Sequence, residues 1–76
     1  MGANIYTSSK MDSIIQMEIG DLLNEVEITN DKSIYSMVMA AYDDNKSMLC
    51  VKKKSGYSYI IPKNSIQYIQ VIEEWL

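Results

Sequence analysis

A chain of 76 residues makes one small domain, and a domain of this size hides only about 60 % of the surface its unfolded form exposes. One cysteine and no histidine exclude an intrachain disulfide, the usual zinc sets and histidine-based catalysis, so oligomerisation remains the route to a fuller core. The net charge of −3 argues against a broad phosphate-binding surface, and no apolar run approaches the ~20 residues that a membrane-crossing helix needs.

The first residues lack the charged-then-apolar pattern of a secretory leader, so a cytoplasmic, reducing setting is expected, with Cys50 a free thiol. All seven basic residues are lysine, which together with abundant Ile, Asn and Tyr points to an AT-rich coding genome, viral or bacterial. Charge is unevenly spread. Six of the ten acids lie between Asp12 and Asp31, whereas Lys46, Lys52, Lys53, Lys54 and Lys63 fall in the second half.

In chain order, residues 1–7 are small and mixed, and are expected to be poorly ordered. A helix is expected over 8–19: Ser8 or Ser9 can cap it, Met11, Ile14, Ile15 and Ile19 recur at helical spacing, and Gly20 stops it. Ile15, Met17 and Ile19 also alternate, which leaves a strand as the other reading. From Leu22 the period becomes two, and Leu22 to Ile28 reads as a first strand bounded by Thr29-Asn30-Asp31-Lys32. Ser33 to Tyr42 reads as a long second strand, apolar on both faces. Met48 to Lys53 is the third, Ser55-Gly56 a hairpin turn, Tyr57 to Ile61 the fourth and Ser65 to Ile72 the fifth. Residues 73–76 form a tail. The expected fold is therefore mainly β: a short N-terminal helix and then, over 22–72, a five-stranded, strongly bent antiparallel sheet closing into a small SH3-like barrel.

Candidate chemistry is sparse. Asp43-Asp44 could touch a divalent ion or a ribose, but reads first as a solvated turn. Cys50 sits between Leu49 and Val51, and reads as a buried, inert thiol rather than a nucleophile. The three glycines are scattered, so no phosphate loop exists. Lys52-Lys53-Lys54 leads into the Ser55-Gly56 tip, where it could touch phosphates, but reads first as a solvated, charged hairpin end. Pro62 cannot donate a ladder hydrogen bond, so the chain leaves the sheet there and presents Lys63 and Asn64 in a tight turn. A cation and an amide in that position suit a phosphate and a base edge, or simply a polar turn.

This order of parts resembles the Sm-like (LSm/Hfq) family. Tyr42-Asp43, the loop Asp44 to Ser47 and Met48-Leu49 are similar to its first motif, and Ile61-Pro62-Lys63-Asn64-Ser65-Ile66 to its second, with Asn64 where the Hfq branch has histidine. The resemblance implies a single Sm-like domain over 1–76 that assembles into a homo-oligomeric ring. It implies neighbour contacts through Tyr57, Tyr59, Ile61, Ile66, Tyr68, Ile69 and Val71, and single-stranded RNA at the pore on Asn45, Lys46, Lys63 and Asn64. RNA processing or regulation would be the role. No enzyme activity, cofactor, metal, membrane or small-molecule substrate is expected. The bare β edges give self-pairing an independent physical motive, since a closed ring removes an aggregation hazard. The alternative is a small β-barrel that scaffolds a protein partner without binding nucleic acid, which the acidic balance and the lack of stacking aromatics in the loop favour.

Overall fold

The computed structural model describes residues 1–8 and 14–73. The elements are β1 (Gly2–Thr7), β2 (Ile14–Met17), β3 (Leu22–Leu23), β4 (Val26–Glu27), α1 (Ile34–Tyr42), β5 (Met48–Lys52), β6 (Ser58–Pro62), a 3-10 turn (Lys63–Ser65) and β7 (Ile66–Ile72). They form two antiparallel sheets, one in the order β2-β1-β7 and one in the order β4-β3-β5-β6. The fold is thus mainly β with one short helix.

Four sequence expectations are corrected. Residues 1–7 are not loose: β1 is the middle strand of its sheet, pairing Ile5 with Ile15 on one side and with Ile69 on the other. Only Ala3 and Ile5 point into the core from this strand, too weak a local pattern to announce it; pairing on both flanks supplies the order. Gly2 is needed there, because a Cβ would meet the Met17 carbonyl oxygen at 2.5 Å. The helix expected over 8–19 is a strand at Ile14–Met17, where alternation prevails over helical spacing; residues 9–13 lie outside the described residues.

The long second strand expected at Ser33–Tyr42 is instead α1. Ile34, Met37, Val38 and Ala41 are buried at helical spacing, and the apolar residues between them had mimicked a two-faced strand. The Ser33 Oγ accepts from the Ser36 N–H at 3.3 Å as an N-cap. Leu22 to Ile28 is not one strand but a tight hairpin: Leu23 pairs with Val26, and Asn24 and Glu25 both have positive φ, 47° and 70°. Two such residues between paired strands are the type I′ pattern, usually signalled by Asn-Gly rather than Asn-Glu. The other three strands and the Ser55-Gly56 turn stand where the sequence put them.

The core between the sheets is built from Ile5, Met17, Leu23, Ile28, Leu49 and Val51, closed on one side by Ile34, Met37, Val38 and Ala41 of α1. The chain passes from one sheet to the other at Glu18–Asp21. The Asp21 N–H donates to the Glu18 carbonyl at 3.0 Å, and Gly20 supplies φ +96°, where a side chain would be strained.

The Asp21 carboxylate is completely buried. It accepts from the Glu18 N–H at 2.8 Å, from the Lys54 N–H at 2.9 Å and from the Lys53 ammonium. Burial pushes this carboxyl up, but the bonds from Lys53, Lys54 and Glu18 together outweigh it and hold the group below the ordinary value of 3.8. A carboxyl with a lowered folded-state pKa stabilises above its unfolded-state value, and that contribution is lost as pH falls through the folded value. Asp21→Asn is therefore expected to cost about 3 kcal/mol in urea unfolding near neutral pH, because it leaves Lys53 beside a neutral group. The gap between the two proteins should stay level from about pH 7 to pH 5, then close below 3.8. A gap that persists unchanged in acid would show that the charge on Asp21 is not what the corner uses.

Candidate interaction surface

At one end of the molecule the 3-10 turn Lys63–Ser65 lies against the loop that follows α1. The Lys63 N–H donates to the Ser47 carbonyl at 2.9 Å, and the Ser65 Oγ donates to the Pro62 carbonyl at 2.8 Å. Ser47, Met48, Pro62, Lys63 and Asn64 border one open depression. The Lys63 ammonium spends its donors internally: on the Tyr42 carbonyl at 2.8 Å, the Asp44 Oδ1 at 2.7 Å and the Asp44 carbonyl at 3.3 Å. It also sits 5.4 Å from the centre of the Tyr42 ring.

A cation at the last carbonyls of a helix is where the helix dipole favours it, so Lys63 closes the C-terminal end of α1. The hydrogen bond from Lys63, against a smaller opposing effect of burial and with help from the Lys46 N–H, holds the Asp44 carboxyl below the usual range. Of the four expected RNA contacts, Lys63 and Asn64 stand together, and Asn45 is on the exposed loop that Asp44 ties to Lys63. Lys46 borders a separate depression with Leu22, Asn24, Glu25 and Cys50.

Asn24 holds this end in place. Its Nδ2 donates to the Ala41 carbonyl at 3.1 Å and to Asp44 Oδ2 at 2.8 Å, and its Oδ1 accepts from the Cys50 N–H at 2.7 Å. One side chain in a left-handed turn thereby joins the β3–β4 hairpin, the end of α1 and the middle of β5.

The second surface is made by sheet edges. Both β6 and β7 are terminal strands in their sheets, each with its outer edge unpaired among the described residues. Of the residues expected at a neighbour contact, Tyr57, Tyr59 and Tyr68 are 70 %, 41 % and 55 % exposed. Ile66, Ile69 and Val71 are half-buried against the core. Ile61 is corrected: it pairs with Leu49 on the inward face and is core.

Sequence reading missed the exposed Tyr35, Met39 and Tyr42, since it took their segment for a strand; their spacing marks one stripe of a helix. With Val38, Tyr68 and Ile69 they line an apolar groove of about 230 Å³ between α1 and β7. Ile60, 70 % exposed beside Pro62, was missed too. Among the described residues no cluster of three or more metal-ligating side chains occurs, and no helix is long and apolar enough to cross a membrane.

Replacing Lys63 by Met, which keeps the stem and removes the charge, tests its structural duty. Lys63→Met should lower the thermal midpoint and speed amide exchange in the last turn of α1, with the strands little changed. Unaltered exchange at Ala41 to Asp43 would free Lys63 from that role and return it to ligand contact.

Set against known protein families, curated proteins and solved structures, the chain matches none.

Proposed function

We propose that this protein is a non-enzymatic interaction module that assembles head to tail, the outer edge of β6 in one copy pairing along the outer edge of β7 in the next. The observation that carries this reading is the pair of unpaired edges on strands joined by a three-residue turn, flanked by exposed Tyr57, Tyr59 and Ile60 on one side and by the α1–β7 groove on the other. An unpaired, apolar, weakly charged edge invites another strand, and natural proteins normally blunt it with charge. β6 carries no charged residue, and neither does β7. Head-to-tail pairing uses two different patches, so repeated copies close into a ring when the rotation allows. This is the assembly that the Sm-like resemblance implies. It is also supported by the path of the chain: continued through the Glu18–Asp21 corner, the strands read β7-β1-β2, then β3-β5-β6, one bent sheet with the β4–α1 segment set into it. The single unpaired thiol suits a reducing, cytoplasmic setting.

Two lysine substitutions placed at opposite patches test the assembly. Tyr59→Lys and Met39→Lys should each reduce the oligomer seen by light scattering to monomer, and an equimolar mixture of the two should recover a dimer through the one intact pair of edges. A monomeric wild type at about 100 μM would remove the reading, because a useful interface should hold well below that concentration.

A second reading, RNA at the polar end, is favoured by the meeting of the Lys63–Asn64 turn with the Asp44–Ser47 loop. Lys63 is committed to α1, so Asn45, Lys46 and Asn64 would make the contacts. U-rich and A-rich oligonucleotides titrated at two salt concentrations should then bind more weakly to Lys46→Ala at low salt, and lose about one phosphate's worth of salt dependence. Absence of low-salt binding to wild type would leave the protein-interaction reading alone.

A further inference from the structure

The outer face of the β2-β1-β7 sheet is a second surface, which meets the α1–β7 groove at Tyr68. None of the residues of β1, β2 or β7 is charged, although 22 % of the chain is Asp, Glu or Lys. Strand register sorts the outward residues into two rows across the three strands. One row is Ile14–Tyr6–Tyr68; the next is Gln16–Asn4–Gln70. The tyrosine rings stack with centroids 4.4 Å apart and planes 22° from parallel. The Gln70 Oε1 accepts from the Tyr6 hydroxyl at 3.1 Å and from Asn4 Nδ2 at 3.3 Å. That leaves the Gln70 NH₂, the Asn4 carbonyl and the whole Gln16 amide without partners among the described residues.

We infer that this face binds an uncharged, hydroxyl-rich ligand, a neutral oligosaccharide of a few ring units. The mutual stack leaves each tyrosine one outer ring face, electron-rich and suited to the weakly positive C–H side of a sugar ring. The amide row offers donors and acceptors side by side, which is what neighbouring hydroxyls require. No cation stands on these strands to hold a phosphate or carboxylate, so nucleic acid and acidic ligands fit poorly. Size separates the ligand from a second copy of the chain. Three strands ~4.8 Å apart and about six residues long present roughly 300 Å², well short of the ~800 Å² per partner that a standard protein interface buries.

The test is a titration of the isotope-labelled protein, followed by amide shifts, with neutral tetrasaccharides of α- and β-linked glucose and of β-linked N-acetylglucosamine, each to about 10 mM. At least one should move resonances of β1, β2 and β7 and leave α1 and β6 still. Tyr68→Ala should weaken binding about tenfold and Tyr68→Phe less than about threefold, since the ring carries the stacking. Gln16→Ala, whose amide supports nothing in the fold, should weaken it about fivefold and guards against a Tyr68 variant that fails to fold. No shift on this face with any of these sugars overturns the proposal. So does a salt-sensitive shift of the same residues by an oligonucleotide that the sugars do not reproduce, or a doubling of mass that accounts for the shifts.

Discussion

The structure turns on a buried carboxylate at a corner. The chain passes between the two sheets at two places, the 3-10 turn Lys63–Ser65 between β6 and β7 and the Glu18–Asp21 corner, between Met17 of one sheet and Leu23 of the other. Such a corner leaves backbone N–H groups outside both strand ladders. Asp21 meets that demand by accepting from Glu18 behind it and from Lys53 and Lys54 on the distant β5–β6 hairpin. The same carboxylate therefore fixes the bend and locks the hairpin to it. The lysine run that looked like a solvated tip is partly spent on that lock: Lys53 also donates to the Gln16 carbonyl at 2.6 Å, and Lys54 to the Ile19 carbonyl at 2.9 Å.

A comparable logic positions α1. Its last carbonyl takes the Lys63 ammonium, and its first turn is held by Glu73, whose Oε1 accepts from the Ser33 hydroxyl at 2.7 Å and the Tyr35 N–H at 3.1 Å. Both partners complement the helix dipole, acid at the start and base at the end. Lys63 precedes β7 and Glu73 follows it, so the helix is clipped alongside that strand at both ends. The groove between them, with its Tyr35, Met39 and Tyr42 wall, runs between the two clips.

The two candidate surfaces divide the molecule by chemistry. Edges of β6 and β7 carry backbone donors and acceptors with apolar flanks, which suits another strand. The outer face of β1, β2 and β7 carries rings and amides without charge, which suits a small polar, uncharged ligand. They share β7, the in-plane edge serving one and the out-of-plane side chains the other, and they meet at Tyr68, which lines the α1–β7 groove and stacks on Tyr6.

Alternation and turn chemistry in the sequence by themselves determined the hairpin of β5 and β6, the strand β7 and the break at Pro62, because a half-buried strand next to a glycine turn has a local signature. The mainly β character was legible for the same reason. Tertiary structure alone decided the rest. Ile34 to Tyr42 is apolar at nearly every position and satisfies both periods, and only the docking of Ile34, Met37, Val38 and Ala41 on the core, with clips from Lys63 and Glu73, selects the helix. Residues Gly2 to Thr7 become a strand because β2 and β7 pair on either side, and Asn24-Glu25 becomes a turn because Asn24 finds partners in α1 and β5. In each case the deciding groups lie far away in the chain, where no local pattern reaches.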